Sequence, residues 1–212
     1  MKKRLRQVTA AATFAALSTA SALADATYTN ESDFFNALAS SNYTETFGSA
    51  PAGSFSGPTN FVGNGFTITA NNTIPADGLY KDQIGGTNVF SLGGAQGTGA
   101  LVFNFSPNTY AVGGFFFVGD PAVQNATVNF ALALSNAAPI NLSTNVSSFA
   151  NAFFGWSFDT NQILSLTISS TSGAGWASAS ELTVAVPEPS TYALLALSAA
   201  GLAGYVVRRR RA

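Results

Sequence analysis

Between residues 66 and 184 apolar side chains fall on every second position, in runs too short for helices. Phe66, Ile68 and Ala70 form one series, followed by Leu101, Phe103 and Phe105 and by Val128, Phe130, Leu132 and Leu134. Leu164, Leu166 and Ile168, then Leu182 and Val184, complete the set. A period of two places each series on one face of a β-strand. Turn-forming clusters such as Gly63-Asn64-Gly65, Ser106-Pro107-Asn108 and Asp120-Pro121 bound the runs. No helical spacing intervenes, so the crossover connections that parallel strands need are lacking. The pattern predicts an all-β fold, an antiparallel β-sandwich or jelly roll.

Two local readings complete that expectation. Residues 29–39 carry Asn30, Glu31, Ser32 and Asp33 ahead of Phe34, Phe35 and Leu38, which predicts one short N-terminal helix with a polar cap and an apolar face. The run 112–118, with Phe115-Phe116-Phe117, reads either as a strand buried on both faces or as one with an exposed ring on one side. Outward positions carry Thr67, Thr69, Asn104, Thr127, Asn129, Thr167 and Ser169, all uncharged and strand-tolerant.

The two ends have a different character. Lys2, Lys3, Arg4 and Arg6 precede a modestly apolar stretch over 8–20, and Ala22-Leu23-Ala24 offers small residues before Asp25. That order is a signal peptide over 1–24, cleaved between Ala24 and Asp25. At the other end, residues 191–207 contain no charge over 17 positions, a helix of roughly 25 Å against a hydrocarbon core of ~30 Å. Tyr192, Leu194, Leu195, Leu197, Leu202, Val206 and Val207 supply the membrane-seeking surface, and Arg208, Arg209, Arg210 and Arg211 hold the far end on the cytoplasmic side. Just before this transmembrane helix lie Pro187, Glu188, Pro189, Ser190 and Thr191, where two prolines fix the backbone extended and remove two donors.

Setting the ends aside leaves residues 25–185 as the exported domain and 186–212 as a sorting signal. The domain keeps Lys81 as its one basic residue against nine acids, a net charge of −8. Phosphate-backbone binding requires clustered Lys and Arg, so no nucleic acid is expected as partner. The chain holds neither Cys nor His, which removes thiol nucleophiles, Ser-His-Asp triads and Cys- or His-ligated zinc. No cofactor is expected. A structural calcium ion held by Asp77, Asp82, Asp120 or nearby carbonyls is the one metal reading the acidic composition suggests.

The sequence Val186-Pro187-Glu188-Pro189-Ser190-Thr191, its apolar helix and its Arg cluster resemble the PEP-CTERM sorting domain of Gram-negative bacteria, also called the ice-binding protein C-terminal domain. The resemblance implies export through the inner membrane, transient anchoring there, recognition by an exosortase and cleavage near Pro187 to Pro189. Release or attachment at the cell surface follows, in species that make exopolysaccharide and biofilm. Within the domain, Thr44-Glu45-Thr46-Phe47, Val112-Gly113-Gly114-Phe115 and Phe153-Phe154-Gly155-Trp156-Ser157 look like a jelly roll of the carbohydrate-binding-module type. Ser178, Ser180 and Glu181 before Leu182 depart from the acidic pair common in the last strand of such modules.

Sugar-binding modules stack aromatic rings on the apolar faces of pyranoses. Trp176, in a Gly-Ser loop, is the foremost candidate, with Tyr80, Tyr110 and Trp156 beside it, although Trp156 within a Phe-rich strand also reads as packing. A non-enzymatic surface or matrix protein, binding extracellular polysaccharide, is the expectation. The alternative is a carbohydrate-active enzyme using a carboxylate pair, for which the domain offers Glu31, Glu45 and Glu181.

Overall fold

The structure is a computed structural model and describes residues 25–38, 41–84, 90–94, 99–119, 125–171 and 175–185. The expected signal peptide and transmembrane helix, with the Pro-Glu-Pro motif and the Arg cluster, lie outside the described residues. In chain order the elements are β1 (Ala26–Tyr28), α1 (Glu31–Ala37), β2 (Asn42–Glu45), β3 (Gly53–Phe55), β4 (Thr59–Gly63), β5 (Phe66–Asn72), β6 (Leu79–Gln83) and β7 (Phe90–Gly93). There follow β8 (Leu101–Phe105), β9 (Ala111–Val118), β10 (Ala126–Leu134), β11 (Ile140–Val146), β12 (Phe153–Ser157), β13 (Ile163–Ser170) and β14 (Ala177–Ala185).

The strands form two sheets with antiparallel pairing, as the alternation predicts. Sheet A runs β1-β12-β9-β14-β7-β6-β3, with β2 pairing the far half of β14. Sheet B runs β11-β10-β13-β8-β5-β4. From β8 onward the chain passes repeatedly between the layers, which is how neighbours in sequence come to face each other across the core. There Phe116, Phe154 and Trp156 of sheet A meet Phe130 of sheet B at ring separations of 5.2 to 5.4 Å.

Sheet B follows the sequence pattern closely. Phe66, Ile68 and Ala70 of β5 and Val128, Phe130, Leu132 and Leu134 of β10 are buried, and the residues between them are half-exposed. In β13 the inward residue is Ile163 and not Leu164, which is 47% exposed. The reason is a shift of register between Ala133 and Leu134 that brings Ile163 opposite Leu134. The extra residue on the bulged strand reverses the facing of its neighbour.

Sheet A is buried on both sides where α1 covers it. Asn30 caps the helix, its Oδ1 accepting from the amides of Ser32 (2.9 Å) and Asp33 (3.2 Å), so the helix starts two residues later than the 29–39 pattern and ends at Ala37. Phe34 is fully buried against the outer face of the sheet, whereas Phe35 is 37% exposed and contributes no inward face. Phe34 fits because Gly113 and Gly155 lack side chains: a Cβ there would lie 2.7 and 2.6 Å from its ring. The strand over 112–118 is accordingly buried on both faces, the first of the two readings.

The β2–β3 connection dips into the core. Phe47 is fully buried at φ 57°, packed against Phe61 and Phe103. Glu45 is buried beside it, accepting from the Phe47 amide at 2.5 Å and from the Tyr43 hydroxyl. Burial, followed by that hydrogen bond and the charge of Glu45, pushes the Tyr43 hydroxyl well above the usual phenol range. Lys81 fastens the same connection from the other side by donating to the carbonyls of Gly48 (2.7 Å) and Ala50 (2.8 Å), its Nζ 4.4 Å from the centre of the Phe90 ring.

Candidate functional site

The register of sheet A brings together two of the four aromatic candidates. Tyr80 in β6 lies opposite Ser54 of β3 and Gly93 of β7, and Gly93 in turn lies opposite Ser178 of β14. Trp176 immediately precedes β14 and is half-exposed, as Tyr80 is. Its carbonyl accepts from the Gly119 amide at 3.0 Å, which pins the loop end to the end of β9. The two rings meet edge to face, centroids 5.1 Å apart and planes at 68°, an arrangement aromatic quadrupoles favour.

Small residues flank this pair. Along the row beyond Tyr80 come Gly93 and Ser178, so no bulky side chain rises between Tyr80 and β14. Asp82 stands two residues from Tyr80 on the same strand and therefore on the same face, about 7 Å along it. Leu79 and Lys81 point the other way, Leu79 into the core and Lys81 to the Gly48 and Ala50 carbonyls. The arrangement offers two ring surfaces, the Asp82 carboxylate and the exposed Ser54 hydroxyl, while Ser178 is buried and donates to the Gly119 carbonyl and the neighbouring cation is turned elsewhere. It suits stacking on a sugar ring with hydrogen bonds to its hydroxyls.

The other aromatics are placed differently. Trp156 is only 1% exposed, wedged between Phe116 and Phe130, so its role is packing and it offers no ligand contact. β12 turns it inward opposite Val112, on the core side of sheet A. Tyr110 lies at the opposite end of β9, where its amide donates to the Ala185 carbonyl at 2.9 Å and its hydroxyl accepts from Gln162 Nε2 at 3.4 Å. Trp176 sits instead beside Ala177 at the start of β14, the full length of the antiparallel pair away.

Of the acids proposed as calcium ligands, Asp82 belongs to the aromatic site and Asp120 lies outside the described residues. Among the described residues no three acidic side chains converge as a metal cage. Of the three glutamates offered as catalytic, Glu45 is committed to Tyr43 and Phe47. Glu31 and Glu181 do interact: burial first and the charge of Glu31 second raise the Glu181 carboxyl above its ordinary value. Glu181 sits at φ 49° where β14 bulges between Ser180 and Thr183. Neither the bulge nor this pairing was apparent from sequence, since 150 residues separate the two acids. Ser54 and Gly93 were likewise unmarked, and Ser178 stood out only as a departure from an acidic pair, although Asp82 at two residues from Tyr80 in a strand is a legible same-face pair.

Comparison with known proteins bears on the end of the chain. The family model for the PEP-CTERM protein-sorting motif matches residues 185–211. The chain carries a PEP-CTERM sorting motif. A PEP-CTERM protein is an exported protein, held transiently at the membrane and processed by an exosortase. No curated protein matches this chain. Among solved structures, TmCBM61 in complex with β-1,4-galactotriose overlaps 56% of this chain and 88% of its own, with a TM-score of 0.34 and 7% identity.

Proposed function

We propose that residues 25–185 form a non-catalytic polysaccharide-binding or adhesive module of the cell surface or extracellular matrix, delivered there by removal of residues 1–24 and by exosortase cleavage near Pro187 to Pro189. The observation that carries the binding reading is the half-exposed Tyr80–Trp176 pair beside Asp82 on the outer face of sheet A. Fixed rings with few rotatable bonds lose little entropy on contact with a sugar. A net charge of −8 and the local Asp82 disfavour anionic glycans, so the ligand class is a neutral or amine-bearing exopolysaccharide of the kind found in biofilm. A Gram-negative host follows from the same reading.

Affinity electrophoresis in gels containing neutral, aminated and uronic-acid polysaccharides tests it. Trp176→Ala is expected to lose about tenfold in affinity for the retarding polymer, a loss of roughly 1.4 kcal/mol, with an unchanged melting temperature. Equal retardation of parent and variant would remove the site. Intact-mass measurement of the exported protein is expected to give a chain running from Asp25 to the Pro187–Pro189 region.

A second reading takes Glu181, whose carboxyl is raised by burial and by the charge of Glu31, as a general acid with Glu31 as its partner carboxylate. Release of reducing ends from a polysaccharide, abolished by Glu181→Gln, would establish that enzyme and displace the binding reading.

A further inference from the structure

We propose that the outer face of sheet B is a self-association surface through which two copies of this chain meet face to face. None of its six strands, β4, β5, β8, β10, β11 and β13, contains an Asp, Glu, Lys or Arg. Every charge carried by a strand belongs to sheet A: Glu45, Lys81, Asp82 and Glu181.

Register builds the face row by row. Asn141, Ala131, Thr167, Val102 and Asn71 lie side by side on five successive strands. The next row toward the β13 bulge contains Ala133, Ser165, Asn104, Thr69 and Asn60. Polar groups on the face partly satisfy one another, Thr69 Oγ1 donating to Asn60 Oδ1 (2.8 Å) and Ser143 Oγ to Asn129 Oδ1 (2.6 Å). Of the three large hydrophobic residues exposed among the described residues, Val62 (70%) and Leu164 (47%) belong to this sheet, Leu164 turned outward by the bulge. Depletion of charge with apolar studs in a flat field is the composition of an interface centre.

The occupant follows from electrostatics and area. A domain of net charge −8 repels its own copies across any face that carries acids. On sheet B no strand carries an acid, Glu45 is turned inward and bonded to Tyr43 and the Phe47 amide, and Asp82 and Glu181 belong to strands of the other sheet, about 10 Å away at the usual sheet-to-sheet spacing, beyond the ~8 Å screening length at physiological salt. Of the two sheet faces, this is the one across which copies meet with the least repulsion. Six strands at ~4.8 Å and about six residues at ~3.4 Å give roughly 25 by 20 Å, about 500 Å² on each copy and 1,000 Å² in all. That sits at the lower bound for a specific interface, which makes the contact a weak two-fold pair. Tethering or crowding at a surface would raise its occupancy through effective concentration. The proposal is independent of the Tyr80–Trp176 reading, whose residues occupy the other sheet.

Sedimentation velocity on the chain recovered after export, from about 1 μM to about 1 mM, reads the association. The parent is expected to move from monomer to dimer across that range, and Asn104→Lys/Thr167→Lys to stay monomeric with an unchanged melting temperature. Mixing that variant with Asn104→Glu/Thr167→Glu should restore the dimer, an outcome misfolding would not produce. If the lysine pair does not fold, Val62→Ser/Leu164→Ser, at exposed positions, carries the same test and is expected to weaken association at least several-fold. A parent that remains monomeric throughout, or a charged variant that dimerises like the parent, overturns the proposal. So does a variant that loses polysaccharide retention while dimerising normally, which assigns the face to a glycan.

Discussion

Sheet A and sheet B enclose one core, yet they solve the problem of the outer face in opposite ways. Sheet A hides much of its outer face: Phe34 lies over Gly113 and Gly155, and Phe149 stacks on Phe115 at 4.5 Å. It also accommodates a positive-φ bulge at Glu181 and supports every strand-borne charge of the domain. Sheet B leaves its outer face to Thr, Ser and Asn, with regular pairing broken at one bulge. The contrast shows where substitutions are felt. A face covered on both sides has close-packed neighbours everywhere, whereas a solvated face has room to adjust.

The sharpest way to break the comparison is to place a side chain under Phe34. Gly155→Val is expected to cost about 3 kcal/mol or more, because the ring must leave its seat and expose apolar surface. At roughly 2–4 °C per kcal/mol for a chain of this size, the melting temperature falls by about 6–12 °C. A shift below about 2 °C would mean that α1 is loosely held. Next in size is Lys81→Met, which removes the donor shared by the Gly48 and Ala50 carbonyls and the ammonium over Phe90. A loss of about 1–3 kcal/mol is expected by urea denaturation with an unchanged slope.

A smaller effect has a diagnostic pH dependence. Burial and Glu31 raise the Glu181 carboxyl, so the folded chain holds that proton more tightly than the unfolded chain does. Stability therefore falls as pH climbs from the ordinary carboxylate value, about 4, through the raised one. Glu181→Gln should melt above the parent at neutral pH, by no more than about 2 °C, and match it at pH 3. The reverse order would mean that the charged carboxylate is stabilising. Smallest of all, Thr69→Ala on sheet B should stay within about 0.5 kcal/mol, since its bond to Asn60 is exposed.

The same contrast explains what the amino-acid sequence disclosed. Sheet B has one dry face and one wet face, so its strands alternate visibly, and β5 and β10 were legible residue by residue. The bulge that turns Leu164 outward left no mark, because Ile163 and Leu164 are equally apolar. In sheet A burial on both sides blurs alternation: β12 mixes Phe, Gly, Trp and Ser without a period, and in β14 only Leu182 and Val184 keep one, after a first half of Ala and Ser. Gly113 and Gly155, unusual inside strands, were the trace of the helix that covers them. The candidate site was half legible. Trp176 was noticed for its loop and Tyr80 for its ring, but their meeting depends on which strands lie between them, and only topology supplies that.

β14 ends at Ala185, fully buried, with one residue between it and Pro187. It is bonded to β9 along one side and to β7 and β2 along the other. Any tension applied through the tail thus enters along the axis of an interior strand, where the ladders on both flanks resist sliding together and cannot be unzipped one bond at a time. While the tail remains joined to its anchor, drag on the domain is carried by a strand bonded on both flanks.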